Sequence, residues 1–268
     1  MNIVVCVKQV PNTEEETLRL DAGGRVLARD GLSSAMNDFD GYALEGAARL
    51  KDADGSIKII ALTCGPEQAR AVLKNSLSIA ADAAYHVCDA AAAGSDVFGT
   101  AKALAAAIRR IEESEGPVDA VFCGKQTVDG ETGVLGAVLS DMLGYPLLTG
   151  CLEAVRDGDG IRVKREIKGG TEIYHIPLPC VLTFAKPEWP VRYSNIKRKL
   201  AANRAVIPTF DLQEIGLSGV NIGLAAARTL IVGSAPAPKS SGGLMIKEET
   251  PEESAGKLIE LLDAAGVV

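Results

Sequence analysis

A polar, glycine-rich loop that runs into a helix start can hold a phosphate, and one segment of this chain has that composition. Gly124-Lys125-Gln126-Thr127-Val128-Asp129-Gly130-Glu131-Thr132-Gly133-Val134-Leu135-Gly136 follows the apolar run at residues 120–123. Helix starts expose unpaired N–H groups and carry partial positive charge, which suits phosphate oxygens. Gly130, Gly133 and Gly136 would let backbone approach a ligand closely. The loop matches neither G-x-x-x-x-G-K-[ST] nor G-x-G-x-x-G. Asp129 and Glu131 count against an anion unless their side chains turn away. A plain strand–helix connection with Asp129 or Thr132 as N-cap explains the same residues, so both readings stay open. Two further segments, Cys6-Val7-Lys8-Gln9 and Thr63-Cys64-Gly65-Pro66, also end apolar runs. In an open parallel sheet all three would converge, because ligands sit at the carboxyl ends of the strands.

No other chemistry is assembled by residue type. No serine sits in a nucleophile elbow, no carboxylate pair stands out, and no catalytic residue is assigned. The six cysteines, at 6, 64, 88, 123, 151 and 180, form no C-x-x-C pair, and the two histidines are His86 and His175. No metal site is expected on that spacing. Each cysteine lies in or at the end of an apolar run and reads as a small, reduced hydrophobe, a usage suited to the cytoplasm.

The elements that must position the loop are legible as an alternation. Strand-length apolar runs at 3–7, 57–63, 84–88 and 120–123 alternate with helical patterns at 40–50, 67–79, 97–113 and 132–143. Such alternation means parallel strands joined by crossover helices, and continuous apolar strands mean both faces are covered. A small hairpin is expected within 18–34, around Asp21-Ala22-Gly23-Gly24. The pattern then changes: four short strands at 152–155, 161–165, 172–176 and 180–184 leave no room for helices and predict an antiparallel extension. A basic stretch follows at 192–204. Residues 234–243, rich in Pro, Ser, Gly and Ala, read as a linker, and 251–265 has helical spacing. The division expected is an α/β nucleotide-binding domain over 1–233 and a linker with a C-terminal helical arm over 234–268. That arm either grips a partner or docks on its own domain.

The bulk properties exclude several classes. A net charge of −7 argues against a nucleic-acid backbone binder. Scarce aromatics argue against single-strand stacking. No stretch of about 18 uncharged apolar residues predicts a membrane span, and the opening residues lack the pattern of a signal peptide.

Taken together in order, the motifs resemble those of the small (β) subunit of electron-transferring flavoproteins, over nearly the whole chain. The resemblance rests on Val5-Cys6-Val7-Lys8-Gln9-Val10-Pro11, Met36-Asn37-Asp38-Phe39-Asp40, Cys64-Gly65-Pro66, Gly124-Lys125-Gln126 with Asp129-Gly130, Arg165-Glu166-Ile167 with Gly169-Gly170, and Pro179-Cys180-Val181-Leu182-Thr183. It implies a heterodimer with a larger, flavin-carrying α subunit and a site for AMP or, in electron-bifurcating members, for FAD. Carried over, the cofactor-binding residues are Cys6, Asn37, Asp38, Phe39, Asp40, Cys64, and the run Gly124, Lys125, Gln126, Thr127, Val128, Asp129, Gly130, Glu131, Thr132, Gly133, Val134 and Leu135. Ala93-Gly94-Ser95-Asp96 with Thr100 resembles a segment of bifurcating members, so Ala93, Ser95, Asp96 and Thr100 join the set and FAD is favoured. The implied partners are then NADH, ferredoxin and an acyl-CoA or other dehydrogenase. Val134 stands where the family commonly has Gln, which removes a side-chain contact. The stretch around Trp189 occupies the family's partner-recognition loop without its leucine; Trp189 is either an exposed anchor or buried. Two rivals are weaker. An ATP-dependent activating enzyme wants a Ser/Gly-rich loop after the first strand, and Lys8-Gln9-Val10-Pro11 is not one. A nucleotide-sensing regulatory domain is about half this length.

Overall fold

In the computed structural model, residues 1–12, 20, 23, 32–218, 222–235 and 242–267 are described. The first strand, β1 (Asn2–Cys6), is the middle strand of the parallel part of the sheet. It pairs in parallel with β4 (Lys58–Cys64) on one side and β6 (Ala120–Gly124) on the other. Beyond β4 lie β5 (Ala83–Val87) and the short edge strand β11 (Thr209–Phe210). Beyond β6 lie β10 (Cys180–Phe184), β7 (Leu147–Asp157), β8 (Gly160–Ile167) and β9 (Gly170–Pro177). Among the described residues, only the β7–β8 and β8–β9 pairs of this sheet are antiparallel. β2 (Gln9–Pro11) and β3 (Ser34–Met36) form a separate ribbon.

Alternate side chains of β1 feed two cores. Ile3 and Val5 pack with Ala43, Leu44 and Ala47 of α1 (Asp38–Ala53) and with Leu73 of α2 (Arg70–Ile79). Val4 and Cys6 pack with Leu104, Ile108 and Ile111 of α3 (Val97–Glu115) and Leu139 of α4 (Leu135–Leu143). Period-two alternation with both faces buried is what continuous apolar strands require.

Four expectations need correction or completion. The strand at 180–184 is not part of an antiparallel extension; β10 lies between β6 and β7 and is parallel to both. Its five residues are all buried, which a central parallel strand demands and a half-solvated meander strand does not. Second, α4 begins at Leu135, three residues later than expected, because the preceding loop is held elsewhere. Third, the basic stretch contains a helix, α5 (Ile196–Arg204), docked on α2. Fourth, the hairpin expected within 18–34 lies mostly outside the described residues; Ser34, at its end, opens β3, which pairs with Gln9–Pro11.

Behind the sheet, Arg192 closes on α1. Its guanidinium grips Glu45 at 2.7 and 3.0 Å and Asp52 at 2.7 Å. Trp189 is half-buried beside α1, with the Arg49 guanidinium 5.1 Å from its ring centre, so neither the exposed-anchor nor the buried reading holds outright. α6 (Pro251–Ala264) opens on a capping box of Thr250 and Glu253, and none of its side chains is buried.

α1 approaches the sheet closely at Gly46, where a Cβ would stand 2.6 Å from the Phe184 ring. Gly46→Ala is expected to lower stability by about 1–3 kcal/mol through overpacking, read by urea unfolding at constant m-value.

Candidate functional site

The strand order β5-β4-β1-β6 reverses direction of winding between β1 and β6, and the cleft opens at that switch point, where ligands bind in such sheets. Its walls are Cys6, Val7, Lys8, Asp40, Leu62, Cys64, Thr100, Leu104, Gly124, Lys125, Gln126, Thr127, Thr132, Gly133 and Leu135.

The cleft floor is built by the first turn of α1. The buried Asp40 carboxylate accepts from the Lys8 amide at 2.8 Å and the Gly124 amide at 3.1 Å. It therefore ties together the ends of β1 and β6. A Cβ at position 124 would lie 2.4 Å from Asp40 Oδ1 and 2.7 Å from Phe39 Cβ, so glycine is required there by packing. Asn37, fully buried, precedes α1 but makes no side-chain cap to it. Its amide instead donates to the Gln126 carbonyl at 2.9 Å and accepts from the Val128 amide at 3.1 Å. Two polar side chains of one helical turn thus fix both the exit of β6 and the start of the loop.

The two carboxylates that counted against an anion are accounted for. Lys8 Nζ bonds both oxygens of Asp129, at 2.7 and 2.9 Å. Glu131 is exposed and sits in the left-handed region, with φ 51°. Neither Asp129 nor Thr132 caps the following helix: the N-cap of α4 is Val134, which has no capping side chain. Among the described residues, no hydrogen bond engages the amides of Thr132, Gly133 and Val134. With the first turn of α4 they form a row of donors open to an external acceptor. Gly133, at φ 64°, supplies the left-handed turn. Gly136 serves packing instead. A Cβ there would lie 2.2 Å from Thr183 Cγ2, so the bare glycine lets α4 rest on β10.

Of the residues expected at the site, Cys6, Asp40, Cys64, Thr100, Gly124, Lys125, Gln126, Thr127, Thr132, Gly133 and Leu135 line the cleft. Asn37, Asp38 and Phe39 stand behind it as support. Val128, Asp129, Gly130, Glu131 and Val134 complete the loop. Ala93, Ser95 and Asp96 are not in the wall. Asp96 caps α3 through the Gly99 amide and accepts from the amides of Arg228 and Thr229, while Ser95 Oγ accepts from the Gly223 amide and the Ala93 carbonyl from the Leu224 amide. These contacts hold the carboxylate of Asp96 below its usual range, the Gly99 bond most of all. Of the remaining wall residues, Val7 and Lys8 belong to the strand-end segment that the sequence already brings to the site, whereas Leu62 and Leu104 carry no signal beyond their place in an apolar run and a helix.

The thiols behave as packed hydrophobes. Burial pushes Cys64, Cys151 and Cys180 up to about 12. Cys123, a free thiol hydrogen-bonded to that of Cys6, is also raised, by that hydrogen bond first and burial second.

Comparison with known proteins decides the family. A model described as the electron transfer flavoprotein domain matches residues 24–215. The chain belongs to the electron transfer flavoprotein family. The electron transfer flavoprotein subunit beta of Megasphaera elsdenii is 36% identical over 257 residues, 95% of this chain and 94% of its own length. A subunit of a caffeyl-CoA reductase–Etf complex from Acetobacterium woodii, CarD, is 33% identical over the full length of both chains. Protein FixA of Azotobacter vinelandii is 36% identical over 253 residues, 92% of this chain and 88% of its own. The relatives' names and the full-length coverage make this chain an electron transfer flavoprotein β subunit. No helix among the described residues is long and apolar enough to cross a membrane.

Burial raises Asp40 to about 7, against the opposing bonds from Asn37, Lys8 and Gly124. A carboxylate raised in the folded state binds its proton more tightly there than when unfolded. The contribution of Asp40 to stability is therefore fully present below the ordinary carboxylate range and is lost as pH rises from about 4 to about 7. Ligand-free Asp40→Asn should lack that loss, which is at most about 1.4 kcal/mol per pH unit, so its slope across the window should differ from that of wild type. Urea melts at several pH values would show this; an unchanged slope in the variant contradicts it.

Proposed function

We propose that this β subunit carries an FAD whose adenosine and phosphate half occupies the cleft between β1 and β6, and that it draws electrons from NADH for bifurcation. What supports the nucleotide part is one observation above the rest: the unengaged amides of Thr132, Gly133 and Val134, followed by an uncapped α4, in a loop whose acidic residue is neutralised by Lys8. Val7, Leu62 and Leu104 give an apolar wall for a flat ring, and a site of this kind combines such walls with a few placed polar groups.

In this reading Asn37 and Asp40 pre-organise the loop, and the amides of 132–134 hold phosphate. Lys8 keeps Asp129 from repelling it. Thr127 and Thr132 offer hydroxyls at the mouth. Cys6 and Cys64, at the ends of their strands, line the floor. The longer ligand would reach from Thr100 toward the start of α3, where Asp96 stands one helical turn away (Thr100 N to Asp96 O, 2.9 Å). Ala93, Ser95 and Asp96 are assigned that role, with Asp96 anchoring 228–229 against α3. A bound flavin supplies two-electron acceptance from a nicotinamide and one-electron release; the protein's share is orientation and the local field. No side chain here acts as acid or base. The second reading is a structural AMP in the same cleft, which the Val134 departure and the loop geometry suit equally.

The larger α subunit is the partner that a β subunit implies. We assign residues 234–268 to that contact: Leu258, Ile259 and Leu261 are exposed on α6, and Leu244 and Met245 precede it. The dehydrogenase and a ferredoxin-type acceptor, in the cytoplasm, complete the scheme.

Two outcomes test this. The co-expressed heterodimer should contain two flavins and no AMP by extraction and chromatography; one flavin with AMP selects the second reading. Gly124→Ala should lose the β-site nucleotide while the α-site flavin remains. Separately, Leu258→Asp with Leu261→Asp should weaken heterodimer formation at least about tenfold, since burying an unpaired charge costs several kcal/mol, read by analytical ultracentrifugation.

A further inference from the structure

Outside the cleft, one cluster of side chains is left unexplained by nucleotide binding. Glu67, in the turn after β4, and His86 and Cys88, at the end of β5, each place a ligand-type atom within 4.8 Å of the other two. His86 is fully buried. Its Nε2 lies 3.0 Å from the Gly65 carbonyl. A carbonyl can only accept, so Nε2 carries the hydrogen and Nδ1 carries the lone pair. Nδ1 is buried and has no hydrogen-bond partner. An unmet buried acceptor costs about 1–3 kcal/mol and calls for a reason. Burial also lowers the basicity of the ring, which keeps it neutral, the form that ligates metals.

The other two groups complete a donor set. Cys88 is half-buried, and among the described residues the only other cysteine that is not buried is Cys64, which lines the nucleotide cleft. Glu67 is held by Arg70 at 2.7 Å, but its side chain is 66% exposed. Such a pair is worth little. Arg70 would keep Thr209 Oγ1 at 2.9 Å and the Ile207 carbonyl at 3.3 Å if it released Glu67. One imidazole, one thiolate and one carboxylate with an open fourth position make a mixed N, S, O set suited to zinc.

We propose that Glu67, His86 and Cys88 form a zinc site at the end of β5, with water as the fourth ligand. Tetrahedral zinc ligands stand roughly 3–4 Å apart, so the cluster closes by about an ångström, mostly through the exposed Glu67 side chain. On binding, the Cys88 S–H gives its proton to solvent and the sulfur bonds the metal. The His86 Nε2–H bond to Gly65 supplies the outer support that orients a ligating ring. Zinc would thereby clamp the Gly65-Pro66 turn, whose neighbour Cys64 lines the nucleotide cleft. The site does not depend on which nucleotide that cleft holds.

The test uses the full-length chain, alone and with its partner subunit, dialysed against buffered Zn²⁺ and assayed for bound metal. Wild type should hold one zinc per chain. Cys88→Ser and Glu67→Gln should each weaken binding by about tenfold or more, and His175→Gln, at the exposed histidine on β9, should leave it unchanged. Circular dichroism checks that each variant folds, and nucleotide content, measured in parallel, reports on the cleft separately. Wild type holding no more zinc than Cys88→Ser overturns the proposal. So does wild-type affinity in Cys88→Ser or Glu67→Gln, or loss of binding in His175→Gln.

Discussion

The candidate site depends on a buried carboxylate placed beneath a glycine. Asp40 enters with the first turn of α1, and its two oxygens receive the amides that end β1 and begin the exit from β6. Those amides would otherwise point into a low-dielectric floor with no acceptor, at a cost of about 1–3 kcal/mol each. Gly124 is the consequence, since any side chain there strikes Asp40 and Phe39. Asn37 extends the same device by three residues, taking the Gln126 carbonyl and Val128 amide. The loop is thus held at its entry by a helix from elsewhere in the chain, and its far end is left free.

That freedom matters for binding. A helix start whose amides are satisfied by an internal cap has less to offer an anion. Here the N-cap is Val134 and brings no acceptor. Lys8 makes the arrangement electrostatically tolerable, because an unpaired Asp129 would face any phosphate at the same mouth. The pairing also links the end of β1 to the loop a second time, so the cleft is closed on one side by charge and on the other by the Asp40 bonds.

Much of this was legible in the residues. The apolar runs and their helical spacers gave the parallel core, and Gly124 to Leu135 gave the loop, because period and glycine content are local properties. What was missed was non-local. Nothing in the sequence of Cys180–Phe184 says that it returns between β6 and β7, since a mostly apolar strand after three short ones looks like one more of them. The Lys8–Asp129 pair spans 121 residues and Asp40–Gly124 spans 84, beyond any spacing rule. Thr132 reads as a cap until Asn37 and Lys8 are seen to hold the loop away from the helix. Ala93-Gly94-Ser95-Asp96 resembles a ligand segment, while its contacts with residues 223–229, through Ser95, Asp96 and the Ala93 carbonyl, carry no mark in the sequence. The Glu67, His86 and Cys88 cluster was invisible for the same reason: its members share no recognisable interval.

The most direct measurement is a crystal structure of the purified heterodimer with whatever it carries from expression. The account predicts phosphate oxygens within hydrogen-bond reach of the Thr132, Gly133 and Val134 amides, with Lys8 still on Asp129 and Asp40 still on Lys8 and Gly124. A nucleotide bound elsewhere on the chain, or a β1–β6 cleft holding only water with those amides turned to solvent, would contradict it.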